Sequence, residues 1–82
     1  MMQLKANKTS MYKLAERYIP DLPPMRNMTF DKTPRTRSWW LEGFGHKVYL
    51  SAGWGCAVIM DNQTTVGRPT IAELREFGMI EE

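Results

Sequence analysis

Apolar residues recur at Met11, Leu14, Ala15, Tyr18 and Ile19, the i, i+3, i+4, i+7, i+8 spacing of a helix with one apolar stripe. Thr9 or Ser10 can cap its start, because a side-chain oxygen there accepts an orphan backbone N–H. Pro20 ends it. The predicted helix covers residues 9–19 and leaves 1–8 as a flexible start. A helix of about ten residues is marginal alone, so it must dock on something. Lys13 and Arg17 fall off the stripe, four apart on one outer face.

The pattern then loses its period. Pro20, Pro23, Pro24 and Pro34 fix φ and remove donors, so residues 20–37 read as an extended, basic connector with a brief strand near Met28–Phe30. That is long for a structureless loop, so the segment is expected to pack on the surface or to bind something. From residue 38 the signals are those of an antiparallel sheet. Strands are expected at Arg37–Glu42, Lys47–Ser51 and Cys56–Asp61, separated by the glycine turns "GFGH" and "AGWG". The third, "CAVIM", is apolar on both faces, which predicts a central strand covered on both sides. Residues 62–82 read as a turn and a C-terminal helix over Ile71–Phe77. Thr70 and Glu73 form a T-x-x-E capping box before it, and Gly78 suits a left-handed cap after it. The helix resembles the opening half of a helix-turn-helix, but no recognition helix follows, so it reads as a packing helix.

Together these elements predict a single α+β domain: a small antiparallel sheet flanked by two short helices. The pattern leaves open a flat sheet or an SH3-like, partly open barrel. "SWWLEG" poses a sharper question. Neighbours in a strand point to opposite faces, so Trp39 and Trp40 cannot both fill one core. If Trp39 and Leu41 face inward, Trp40 points outward with Ser38 and Glu42; the opposite register exposes Trp39. The second indole is then covered by a helix, anchors a protein partner, or stacks on an unpaired base. Trp54, at a glycine-flanked turn, is equally hard to bury.

Composition narrows the classes. The chain has 82 residues, 43% hydrophobic and 24% charged, which suits one globular domain with a small core. No run of about 18 apolar residues is present, so no transmembrane helix is expected. The start lacks a signal peptide's apolar middle, and one cysteine, Cys56, permits neither an intrachain disulfide nor a cysteine-based zinc site; a cytoplasmic protein is expected. Cys56 reads as a buried small hydrophobe. The net charge of +2 is unevenly spread. Residues 1–37 hold eight Lys/Arg against three acids, net +5; residues 38–82 hold three against six, net −3. The first half can therefore face an anion such as nucleic acid.

Chemistry is sparse. His46, the only histidine, sits in a glycine turn without a cysteine, serine or carboxylate at a spacing that implies a dyad or triad. It is too isolated to form a metal site. "GFGHKV" lacks the third glycine and the helix of a phosphate-binding loop. No enzyme, cofactor, metal, small-molecule substrate or membrane partner is expected. No helix carries Arg, Asn or Gln spaced to read a major groove, so duplex DNA would be held by its backbone.

The basic arm "MRNMTFDKTPRTR" leading into "SWWLEGFGHKVYL", in one short cysteine-poor chain without a reading helix, resembles the small corepressors of temperate enterobacterial phages. The resemblance rests on length, charge and character across the chain. It implies a non-enzymatic modulator that strengthens binding of a lysogeny repressor to duplex operator DNA, and it assigns no family binding residue to a particular position. On the residue reading, Arg26, Lys32, Arg35, Arg37 and Lys47 are the candidates for DNA-backbone contact, and Trp40, Trp54 and Tyr49 for a protein partner. An inhibitor of a single protein, or a single-strand nucleic-acid binder using the same aromatics, are the alternatives.

Overall fold

In the computed structural model, which describes residues 3–32, 38–53 and 56–81 (of residues 3–4, 52–53, 56 and 81 the backbone alone), Asn7 opens the first helix, α1, Lys8–Tyr18. Asn7 Oδ1 accepts the Ser10 N–H at 2.8 Å, and Ser10 Oγ accepts the Asn7 N–H at 3.0 Å. The cap therefore lies upstream of the expected Thr9 or Ser10: asparagine caps as well as serine, and Ser10 serves as the return acceptor. Met11, Leu14 and Ala15 are buried along the predicted stripe, with Ile19 just beyond the helix end.

The proline connector is more structured than its composition implies. A 3₁₀ turn spans Met25–Asn27, and a strand runs from Thr29 to Lys32. Tyr12 Oη donates to the Pro23 carbonyl at 2.7 Å, which pins the segment onto α1. The start is not loose either. Strand β1, Gln3–Leu4, pairs antiparallel with a last strand at Ile80–Glu81, and the Lys5 N–H reaches the Met79 carbonyl at 2.8 Å. A strand of two residues is too short to show an alternating pattern; the partner that orders it is Ile80–Glu81.

Strand β2 (Thr29–Lys32), β3 (Ser38–Gly43), β4 (His46–Gly53), β5 (Cys56–Asp61) and β6 (Thr64–Gly67) form one antiparallel meander in the order β2-β3-β4-β5-β6. The sheet is open, with β2 and β6 at its edges, and does not close into a barrel. β4, not β5, is central. Two hairpins turn on two residues each, Phe44-Gly45 (φ 46° and 84°) and Asn62-Gln63 (φ 50° and 70°). Positive φ at both central positions is the type I′ signature, whose twist matches that of the strands. The second hairpin and β6 escaped the sequence reading because Gln63 stands where glycine usually marks such a turn.

The buried apolar residues of the strands lie on one side of the sheet. Trp39, Leu41, Val48, Leu50, Ala57 and Ile59 face α1 and the second helix, α2 (Ile71–Glu76), whose Leu74 is buried with Met79 after it. Val58 and Met60 of β5 are only half-buried, on the other face, so the strand is not covered on both sides as its composition predicted.

α2 is fastened to α1 through two carboxylates, Glu73 and Glu76. Thr70 Oγ1 accepts the Glu73 N–H at 3.1 Å, the first half of the expected box. The return half is replaced. Glu73 accepts instead from the Tyr18 hydroxyl and from Arg17 Nη1 at 3.0 Å, while Arg17 Nη2 donates to Glu76 at 2.8 Å. The Arg17 guanidinium also lies 4.7 Å from the Phe77 ring centroid. The hydrogen bond from Tyr18, with that from Arg17, holds the Glu73 carboxyl below the usual carboxylate range. Burial, reinforced by Glu73, pushes the Tyr18 hydroxyl up to about 12. Gly78 (φ 72°) closes α2 with N–H bonds from Gly78 to Arg75 and from Met79 to Leu74, a Schellman cap as the sequence implied.

Tyr18 also lies flat on the backbone of β6: a Cβ on Gly67 would stand 2.3 Å from Tyr18 Cδ1. Gly67→Ala is expected to cost roughly 1–3 kcal/mol through this overlap, read as a lower urea midpoint with unchanged m-value. A second expectation concerns alkali. Because the Tyr18 pKa is raised from 10 to about 12, its contribution is fully present below pH 10 and is lost as pH rises through about 12. Tyr18→Phe should remove that part of the alkaline decline, seen by comparing urea midpoints of the two proteins from pH 9 to 12.

Candidate interaction site on the helix-free face

The same alternation that buries Trp39, 2% exposed, carries Trp40 to the face opposite both helices. Register assembles its neighbours. Trp40 lies directly across from Tyr49 on β4 and from Asp31 on β2; Glu42 faces Lys47, and Tyr49 faces Met60. The Trp40 and Tyr49 rings are 4.3 Å apart between centroids and tilted by 41°. Lys47 Nζ stands 4.8 Å over the indole, a cation–π contact. The Tyr49 hydroxyl is fixed by Ser38 Oγ at 2.8 Å, so the shelf is held from both ends.

Two depressions flank Lys47. One, of about 240 Å³, is lined by Trp40, Lys47, Tyr49, Met60 and Gln63. The other, of about 370 Å³, is lined by Thr29, Asp31, Trp40, Glu42 and Lys47. The first offers aromatic and thioether surface. The second adds two carboxylates to the indole, so the face as described is not a uniformly basic one.

The candidates named from sequence therefore separate. Trp40, Tyr49 and Lys47 come together. Arg26 and Lys32 are exposed but stand apart from that shelf: Arg26 lies in the 3₁₀ turn before β2, and Lys32 at the far end of β2, across from Trp39 and so on the helix-bearing side. Arg35, Arg37 and Trp54 lie outside the described residues, as does the side chain of Cys56.

Two features escaped the sequence. His46 Nδ1 lies 2.9 Å from Asp61 Oδ2, fifteen residues away in sequence, although no carboxylate near His46 in the sequence implied a pair. The pairing follows from the register of two hairpins, which one-dimensional spacing does not carry. The Asp61 carboxylate orients the ring through Nδ1, while its Oδ1 is buried without a hydrogen-bond partner among the described residues. No hydroxyl or thiol hydrogen-bonds to His46 among those residues, and no group of three or more His, Cys, Asp or Glu side chains is gathered there to hold a metal ion. The pair instead works with Asn62, whose Nδ2 donates to the Gly45 carbonyl at 2.8 Å and whose N–H donates to the Lys47 carbonyl at 3.1 Å, to lock the hairpin ends together. The second feature is Phe44 at the hairpin tip, 73% exposed. No helix among the described residues is long and apolar enough to cross a membrane.

No family model, curated protein or solved structure matches the chain.

The two adjacent tryptophans should differ sharply under truncation. Trp39→Ala is expected to cost about 3–5 kcal/mol, the loss of a large core side chain. Trp40→Ala should cost only about 1 kcal/mol, the scale of one cross-strand aromatic pair with its cation. Urea unfolding of both variants checks the contrast, and equal losses would mean that Trp40 is also a core residue.

Proposed function

We propose that the chain is a non-enzymatic binding module that docks a protein through the Trp40–Tyr49 shelf, and that it acts as the phage-corepressor resemblance implies, strengthening a repressor's hold on operator DNA in the cytoplasm. The observation that carries the docking is the aromatic shelf on the face opposite both helices. Trp, Tyr and Arg dominate interface hot spots because they combine large apolar area with a polar handle. The shelf is also pre-organised by the Ser38–Tyr49 and Lys47–Trp40 contacts, so little side-chain freedom remains to be lost on binding. Arg26, Lys32, Arg35 and Arg37 are then the residues available to DNA phosphates. A complex bridged at two such places tightens because the second contact is effectively intramolecular. Asp31 and Glu42 beside the indole favour protein over a phosphate chain on the shelf itself.

Gel shifts test this with duplex DNA, single-stranded DNA, and duplex with any repressor encoded beside the reading frame, each at two salt concentrations. The expected outcome is weak binding to DNA alone and a tighter, slower-migrating repressor–operator complex, with the enhancement reduced in Trp40→Ala. No effect on the repressor would sink the proposal. Tight single-strand binding would turn the shelf into a base-stacking platform instead.

A further inference from the structure

Phe44 occupies a position that the fold selects against. It is the first central residue of a type I′ turn, at φ 46°, where Asn, Asp and Gly are preferred and a bulky side chain crowds the backbone. Nothing is returned to the fold for this strain, since the ring is 73% exposed and is the one large hydrophobic side chain exposed to that degree among the described residues. Isolated apolar residues on a surface are ordinary, but not at positive φ on a rigid tip.

The tip is rigid for identifiable reasons. Asn62 binds the Gly45 and Lys47 carbonyls, and His46 is held by Asp61. On the other flank Gly43 is pressed so closely under the 3₁₀ turn that a Cβ there would stand 2.5 Å from the Asn27 carbonyl oxygen. The tip is also continuous with the aromatic shelf. A shallow depression of about 320 Å³ runs past Phe44, His46 and Asn62 to Glu42 and Lys47, the residues that border the Trp40 depression.

We infer that Phe44 is a pre-organised anchor, presented by the clamped β3–β4 hairpin, that enters an apolar pocket on the protein docked against the shelf. Its role presupposes the docking proposed above and adds the knob to that surface. An aromatic ring held in one place loses little freedom on insertion, which is how a single side chain dominates an interface. The strained turn is then a stability cost retained for binding, as at other functional sites.

The test uses the full chain with Phe44→Asn and Phe44→Gly, both compatible with positive φ. Two quantities are measured: the thermal unfolding midpoint, and the enhancement of the neighbouring repressor's binding to its operator duplex. Both variants are expected to raise the midpoint by roughly 4 °C or more, on the scale for a domain of this size. Both should weaken the enhancement roughly thirtyfold, the effect of losing one hot spot. A lowered midpoint in both variants would overturn the inference by showing that the ring supports the fold. Wild-type enhancement retained by the variants would overturn the anchor and leave the docking proposal standing. Absence of enhancement with the wild-type chain would overturn both.

Discussion

Glu73 joins the two helices of this protein. It accepts from Tyr18 and Arg17 of α1, while its own backbone N–H is held by Thr70 at the start of α2. Tyr18 in turn lies against Gly67 at the sheet edge, where no larger residue fits. With both helices fastened together there, both must lie on the same face of the sheet. Every core residue of the strands, from Trp39 to Ile59, points to that side. Among the described residues the opposite face carries the sheet's own side chains and no helix, and this division decides what can be exposed.

That division explains the unequal fates of neighbouring residues. Trp39 and Trp40 are chemically identical and adjacent, yet one is core and the other forms a shelf with Tyr49 and Lys47. A small domain with one helical layer has apolar surface left over, and here it gathers around Trp40 and Met60 rather than being scattered. The contacts of His46 with Asp61, on the helix-bearing side, and of Asn62 with the Gly45 and Lys47 carbonyls fix the hairpin tip that carries Phe44. The aromatic shelf lies on one face of the sheet, and the exposed Phe44 at the end of the β3–β4 hairpin beside it.

Much of this was legible in one dimension. The α1 stripe, the antiparallel strands, the Gly43–Gly45 turn and the Gly78 cap all follow from local spacing, since each depends on residues within a few positions of one another. The clash of Trp39 with Trp40 over one face was equally local. The elements that were missed have distant causes. β1 needs the chain's other end, and β6 needs β5 to turn through Asn62-Gln63 without a glycine to mark it. The His46–Asp61 pair needs two hairpins in register, and Glu73 abandons its capping-box role because Tyr18 and Arg17, more than fifty residues earlier, compete for it.

The order of residues alone calls for a small α+β domain in which two adjacent tryptophans cannot share one face, because side chains alternate along a strand. It also determined the type and approximate place of the strong elements. Tertiary structure decided which tryptophan leaves, whether a helix covers it, and which charges stand beside it. Those outcomes depend on which side the helices pack and how the strands align, and both are set by contacts between residues far apart in the chain.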